Sequence, residues 1–223
     1  MLRSILIAGE EDIRIPMRAL EFGGFRRWLH SGSFPEEGLV SFINGQIEVD
    51  TSMEEFFEHG QVKAEIGAVL HALVKEMKFG RFAPDGTRYT SARARLSTEP
   101  DGMVVSNDAL KSGRVRFASG KTGRNTELIG TPDIAIEIVS PSSEEKDGER
   151  LMAAYFKAGI PEYWLVDVRD GDTRFDIFRR KPGGYVPSRK SDGWMKSPVL
   201  GRSFRLTSDT DETGSPEYRL ESR

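Results

Sequence analysis

Ile134-Ala-Ile-Glu-Ile-Val139 is an apolar, β-branched run broken by a single acid, and such a run reads as a central strand covered on both faces. Tyr163-Trp-Leu-Val-Asp167 reads as a second buried strand, its aromatic pair being core packing rather than a platform for nucleobases. Between them, residues 143–158 predict a helix that Gly159 ends, with Ser140-Pro-Ser-Ser143 as its cap. Upstream, Leu39-Val-Ser-Phe-Ile and Gln46-Ile-Glu-Val-Asp50 flank Asn44-Gly45, the strongest short hairpin signal a sequence offers. Val62, Ile66, Val69, Leu70, Leu73 and Met77 recur at three and four. They predict a long helix ending near Gly80 and starting at Ser52, whose spacing to Glu55 fits a capping box. Short strands are expected around Pro84-Asp85-Gly86 and at Met103-Val-Val105, and Asp176-Ile-Phe178 with Gly183-Gly184-Tyr185 reads as a closing antiparallel pair. Met17, Leu20, Phe25, Trp28 and Leu29 predict a short N-terminal helix interrupted at Gly23-Gly24, and the polar stretch from Thr207 predicts disorder.

The 223 residues are nearer one enlarged domain than two. The expected division is an appendage over residues 1–37, a main domain over 38–206 and a tail over 207–223. With 37% hydrophobic and 30% charged residues and a net charge of −3, the composition is that of a soluble globular chain. Zero cysteines exclude a disulfide scaffold, a thiolate zinc site and a cysteine nucleophile. No apolar run reaches about 18 residues and the N-terminus does not read as a secretory signal, so a cytoplasmic protein with no membrane partner is expected. Mild acidity argues against a general polyanion-coating protein but leaves room for a nucleic-acid enzyme. Residues 78–124, notably, hold ten bases against four acids, a balance opposite to that of the whole chain.

Glu137 demands a chemical reason, because a carboxylate amid isoleucines loses its hydration unless something cationic compensates. Strand alternation puts Asp133 on the same face as Glu137, yet four residues at about 3.3 Å each leave about 13 Å between them, too far to share an ion. Asp101, in Glu99-Pro-Asp-Gly-Met-Val-Val105, stands at the start of a strand that could pair beside this one and bring its carboxylate alongside Glu137. Two adjacent carboxylates suit magnesium, which keeps several waters and neutralises charge on a phosphate. The competing reading pairs Glu137 with an arginine of residues 78–124 and leaves Asp101 in a Pro-Asp-Gly turn. No Walker-type glycine loop, GxSxG or HExxH is present.

Thr131-Pro-Asp-Ile-Ala-Ile-Glu-Ile-Val-Ser-Pro-Ser-Ser143 and Tyr155-Phe-Lys-Ala-Gly-Ile-Pro-Glu-Tyr-Trp-Leu-Val-Asp167 closely resemble the Uma-two family of restriction-endonuclease-like proteins. Asn44-Gly-Gln-Ile-Glu48, His59 and Pro100-Asp101 fit the same pattern in order, so the resemblance spans about residues 38–186. It implies an α/β (α+β mixed) restriction-endonuclease-like core of the PD-(D/E)XK superfamily: a central mixed β-sheet flanked by helices, here with an N-terminal helical and hairpin extension. It further implies that Asp101 and Glu137 bind Mg²⁺ or Mn²⁺. Val139 occupies the place of the motif's lysine, and Lys146 or Arg150 on the following helix would substitute, four apart and so on one helical face. His59 and Asp133 are candidate accessory residues, with a plain structural role as the competing reading for each. His30 and His71 read as packing or surface residues.

The function expected is divalent-metal-dependent endonuclease cleavage of phosphodiester bonds in DNA. The alternative is a catalytically inactive nuclease-fold protein that binds nucleic acid or regulates, its bases between Lys78 and Arg124 holding backbone phosphates; a plain oligomeric scaffold is the third. A homodimer is expected by analogy with two-fold duplex cutting.

Overall fold

The computed structural model describes residues 4–7, 12–36, 38–119, 123, 125–141 and 143–223. In chain order the strands are β1 (Ser4–Ile7), β2 (Ile13–Pro16), β3 (Leu39–Ile43), β4 (Gln46–Asp50), β5 (Gly80–Pro84), β6 (Arg88–Ser91), β7 (Leu96–Thr98), β8 (Gly102–Ser106) and β9 (Val115–Ser119). They continue with β10 (Asn125–Gly130), β11 (Ile134–Ile138), β12 (Glu162–Asp167), β13 (Arg174–Lys181), β14 (Gly184–Pro187), β15 (Lys190–Ser191), β16 (Trp194–Ser197), β17 (Arg202–Thr210) and β18 (Pro216–Ser222). The α-helices are α1 (Phe22–Leu29), α2 (Val62–Glu76), α3 (Asn107–Lys111) and α4 (Met152–Ala158).

The central sheet runs β14-β13-β12-β11-β8-β5, with β11 and β12 parallel and the remaining neighbours antiparallel. Every residue of β11 is buried, as a strand covered on both faces must be. One face, carrying Ile134, Ile136, Ile138, Trp164 and Val166, packs on α2 and on the four-stranded sheet β15-β16-β17-β18. The opposite face, with Met103, Val105, Ala135 and Tyr163, packs on α4 and on the sheet β4-β3-β7-β6-β10-β9. Glu162 ties the central sheet to the four-stranded one: it accepts from Trp164 Nε1, Ser197 Oγ and the Val199 amide.

The β3–β4 hairpin turns at Asn44-Gly45 with φ of 51° and 86°, the doubly positive pair its tight turn requires. In four places the chain departs from its sequence pattern. Gly23-Gly24 lies inside α1 rather than interrupting it; a Cβ on Gly24 would stand 1.6 Å from Arg18 O, so glycine is there for close approach of backbone. The helix expected from Ser52 starts instead with a π-helical turn, Phe56–Gln61, that Glu55 caps by accepting from the Glu58 amide. Lys146–Leu151 is a second π-helical stretch, ahead of α4. Residues 207–223, expected to be disordered, complete β17 and form β18, because Leu206, Tyr218 and Leu220 bury apolar side chains against α2's face of the core. The proposed cap residue Ser142 and the bases Lys121 and Arg124 lie outside the described residues.

The N-terminal segment buries Ile13, Ile15, Phe25 and Trp28 against Val40 and Phe42 of β3. Arg26 adds a bidentate pair with Glu127 of β10, a carboxylate only 2% exposed.

Candidate active site

Pairing of β8 with β11 sets Gly102 opposite Ile136 and Met103 opposite Ala135, so the antiparallel register carries Asp101 to the level of Glu137. The Ile138 amide donates to Asp101 Oδ2 at 2.7 Å, which anchors that side chain at the strand's end. Both acids line a cleft of about 1020 Å³, together with His59, Lys63, Ser143, Lys146 and Asp147. Glu137 accepts from the Tyr155 hydroxyl of α4. Burial, followed by the nearby Asp147 and Asp101 carboxylates, holds the Glu137 carboxyl well above the usual carboxylate range. No arginine bridges Glu137 among the described residues.

Side chains one position apart on a helix do not normally face each other. Lys146 and Asp147 both reach the cleft nevertheless, in the first turn of the π-helical stretch, with Lys146 Nζ 3.6 Å from Asp147 Oδ1. Segments of this kind recur at functional sites. Burial disfavours the Lys146 ammonium, but Asp147, Glu137 and Asp101 outweigh it and raise its pKa, so Lys146 stays charged. Asp147 is 1% exposed; its Oδ2 accepts from Ser143 Oγ and its Oδ1 has no hydrogen-bond partner. Burial, above all, raises its pKa to about 6.

The other π-helical turn supplies His59. Its Nδ1 lies 2.8 Å from Glu54 Oε1 and its Nε2 lies 3.0 Å from Ile138 O and 3.6 Å from Asp101 Oδ2. Two ring nitrogens facing acceptors call for the imidazolium form. Burial opposes that charge, but Asp101 and Glu54 prevail and hold the His59 pKa at about 9. Lys63, four residues on, sets Nζ 2.6 Å from Glu54, 2.9 Å from Asp85 and 3.6 Å from Asp101 Oδ1.

Two comparisons bear on this arrangement. Residues 24–208 match the Uma2 family, described as "Putative restriction endonuclease". The chain belongs to the Uma2 family. A crystal structure of a protein from Anabaena variabilis ATCC 29413, described as a "putative nuclease belonging to DUF820", is 20% identical with a TM-score of 0.60, over 81% of this chain and 90% of that one. At that identity the likeness is one of fold, and the fold is the mixed-sheet, restriction-endonuclease-like architecture expected from the sequence. No curated protein matches the chain.

In this Uma2 chain the sequence-selected residues divide in two. Asp101, Glu137, Lys146 and His59 share the cleft. Arg150 does not line it: its Nη1 bonds Glu48 Oε1 at 2.7 Å, so Lys146 faces the cleft and Arg150 does not. Asp133 is also elsewhere, at the far end of β11, where it accepts from the Ser106 amide and from Arg114. It holds the start of α3 rather than the cleft. Of the bases in residues 78–124, Arg114 is thus engaged, and Arg88 is buried on Glu99 and Val40 O. Sequence reasoning passed over Lys63, Asp147 and Tyr155. Lys63 had a signal, since it follows His59 by four on a predicted helix.

No helix among the described residues is long and apolar enough to cross a membrane.

Proposed function

We propose that this Uma2 chain is a divalent-metal-dependent endonuclease that hydrolyses phosphodiester bonds in DNA, with Asp101 and Glu137 as the protein's metal ligands and Mg²⁺ or Mn²⁺ as the ion. The observation that carries the reading is the convergence of Asp101, Glu137 and a charged Lys146 in one cleft of a nuclease-family fold. The donor set fits a hard cation: its atoms are carboxylate oxygens, and Asp147 Oδ1 is a buried acceptor with no hydrogen bond. Among the described residues no group of three or more acids or histidines could hold an ion alone. A site of two carboxylates would be completed by water and substrate phosphate, the habit of magnesium.

When bound, such an ion supplies Lewis-acid activation of water and neutralises phosphate charge. The chain's own residues do the rest. Ile138's amide fixes Asp101, and Tyr155 fixes Glu137 from the opposite helix. Lys146, kept protonated by the three carboxylates around it, offers positive charge to the phosphate as negative charge develops. His59 faces Asp101 Oδ2 and is itself held by Glu54, so it orients that carboxylate.

The test is cleavage of plasmid and linear DNA with Mg²⁺ or Mn²⁺ and with EDTA. Asp101→Asn and Glu137→Gln should each abolish cleavage while far-ultraviolet dichroism stays that of the parent. Cleavage that survives in both folded variants would discard the assignment.

A further inference from the structure

A groove of about 710 Å³ runs from the cleft along α2 and shares Glu54, Glu55, Lys63, Asp85 and Asp101 with it. Ala64, Gly67 and Ala68 of α2 form one wall, and Phe82 and Pro84 of β5 form another. Gly67 lets α2 close on the edge of the Phe82 ring, where a Cβ would stand 3.6 Å from Cε1, and the ring stays partly exposed to the groove. Phe56 joins the lining with 64% of its surface exposed, high for so large an apolar ring. Around these apolar walls stand Glu54, Glu55, Asp85 and Asp101, of which Glu54 and Asp85 also hold Lys63 and keep further lone pairs for a ligand. Carboxylates repel an anionic occupant, whereas they accept from the N–H groups at the edge of a flat neutral ring. Lys63, the ammonium on the wall common to groove and cleft, sits where an attached phosphate would pass from one to the other.

We propose that the groove binds the unpaired base of a nucleotide whose phosphate occupies the cleft, so that the substrate is single-stranded or has one base turned out of its duplex. The inference rests on the cleft being a phosphodiester site. Phe82 and Phe56 supply stacking faces, which any base can use. Adenine, cytosine and guanine carry an exocyclic amine for the carboxylates, and thymine carries none. A duplex would have to unpair and unstack to reach the groove.

Fluorescence anisotropy of the full chain decides it, using three probes of one length: a mixed-sequence single-stranded oligodeoxynucleotide, the same strand with consecutive abasic sites, and the blunt duplex. The parent protein should bind the base-bearing strand about tenfold or more tightly than the abasic strand or the duplex, the scale of one or two stacked bases. Ala64→Trp or Ala68→Leu, which fill the groove and leave Glu137, Lys146 and Asp147 of the cleft outside it, should lower the affinity for the base-bearing strand to the abasic level and leave abasic binding unchanged. Equal affinity of the parent for the base-bearing and abasic strands would overturn the proposal, and this comparison needs no variant to fold. So would parental affinity in a folded Ala64→Trp, or a fall in assembled mass on filling the groove, which would assign it to a second copy of the chain. The two readings fail separately. Glu137-dependent cleavage without base preference removes the groove's role alone, and base preference without Glu137-dependent cleavage removes the catalytic reading alone.

Discussion

Asp147→Asn removes a carboxylate that is poorly solvated in the folded chain, so the variant should be the more stable protein at alkaline pH without divalent ions. Burial raises the Asp147 pKa from 3.8 to about 6, against the lowering influence of Lys146 and Ser143. A folded-state pKa above the unfolded one means that the folded chain binds the proton more tightly. Stability from this group is therefore full below about pH 4 and falls as pH rises through about 6. A shift of about two pH units corresponds to about 3 kcal/mol, which in a chain of this size is about 6–12 °C of melting temperature. Asparagine cannot ionise, and its side-chain oxygen still accepts from Ser143 Oγ. Urea unfolding in EDTA at about pH 4 and about pH 8 measures the effect: parental stability should fall between them by about 3 kcal/mol more than that of the variant. Equal falls would refute the assignment of a buried, ionising acid at this position. Magnesium added at the higher pH should restore stability to the parent more than to the variant, since a cation held by Asp101 and Glu137 favours the charged form of the neighbouring Asp147.

Four further outcomes are expected. Burial pulls the His59 pKa down while Asp101 and Glu54 hold it at about 9, so its contribution to stability is full below its ordinary value and lost as pH rises through about 9; Asp101→Asn should lower the midpoint seen by NMR of its ring protons, and an unmoved midpoint would contradict the pairing. Lys146→Met should slow DNA cleavage by on the order of a hundred- to a thousandfold at saturating substrate, whereas Arg150→Met should leave the rate within a few-fold; the reverse order would transfer the role to Arg150. Arg26→Leu should destabilise the fold by about 3 kcal/mol in urea titration, because Glu127 is left buried without its bidentate partner. Leu220→Ala should lose about 2–4 kcal/mol in the same assay; a loss under about half a kcal/mol would mean that β18 does not share the core.

What the sequence disclosed, it disclosed through local patterns. The Asn44-Gly45 hairpin and the runs that became β11 and β12 could be read directly because turn chemistry and apolar continuity are encoded within a few neighbouring residues. Asp101 and Glu137 were linked one step less directly: an acid in an apolar strand needed a partner, and the strand that Pro100-Asp101 leads into could bring one. Asp147 escaped because helical spacing says that it and Lys146 point apart, and nothing in residue propensities announces a π-helical stretch that turns both into the cleft. Arg150 was taken as Lys146's equivalent from the same helical spacing, but identical spacing along a helix does not decide which acid waits at each end, and Glu48 of β4 captures it.

The C-terminal strands argue a different point about the same limit. Pro216–Ser222 alternates correctly, with Tyr218 and Leu220 buried between Glu217, Arg219 and Glu221, so a period of two was present all along. High charge density hid it, since only two of seven side chains are large and apolar and the segment looks like a polar tail. Two were enough, because they close a face that β16 and β17 had already begun with Met195, Phe204 and Leu206, and because Glu65 of α2 accepts from the Leu220 amide at 2.8 Å. The strand adds to a surface built by others. That surface includes α2, whose N-terminal turn carries Lys63 into the cleft, so loosening β18 should disturb the site's cations before it disturbs the acids on β11 and at the start of β8.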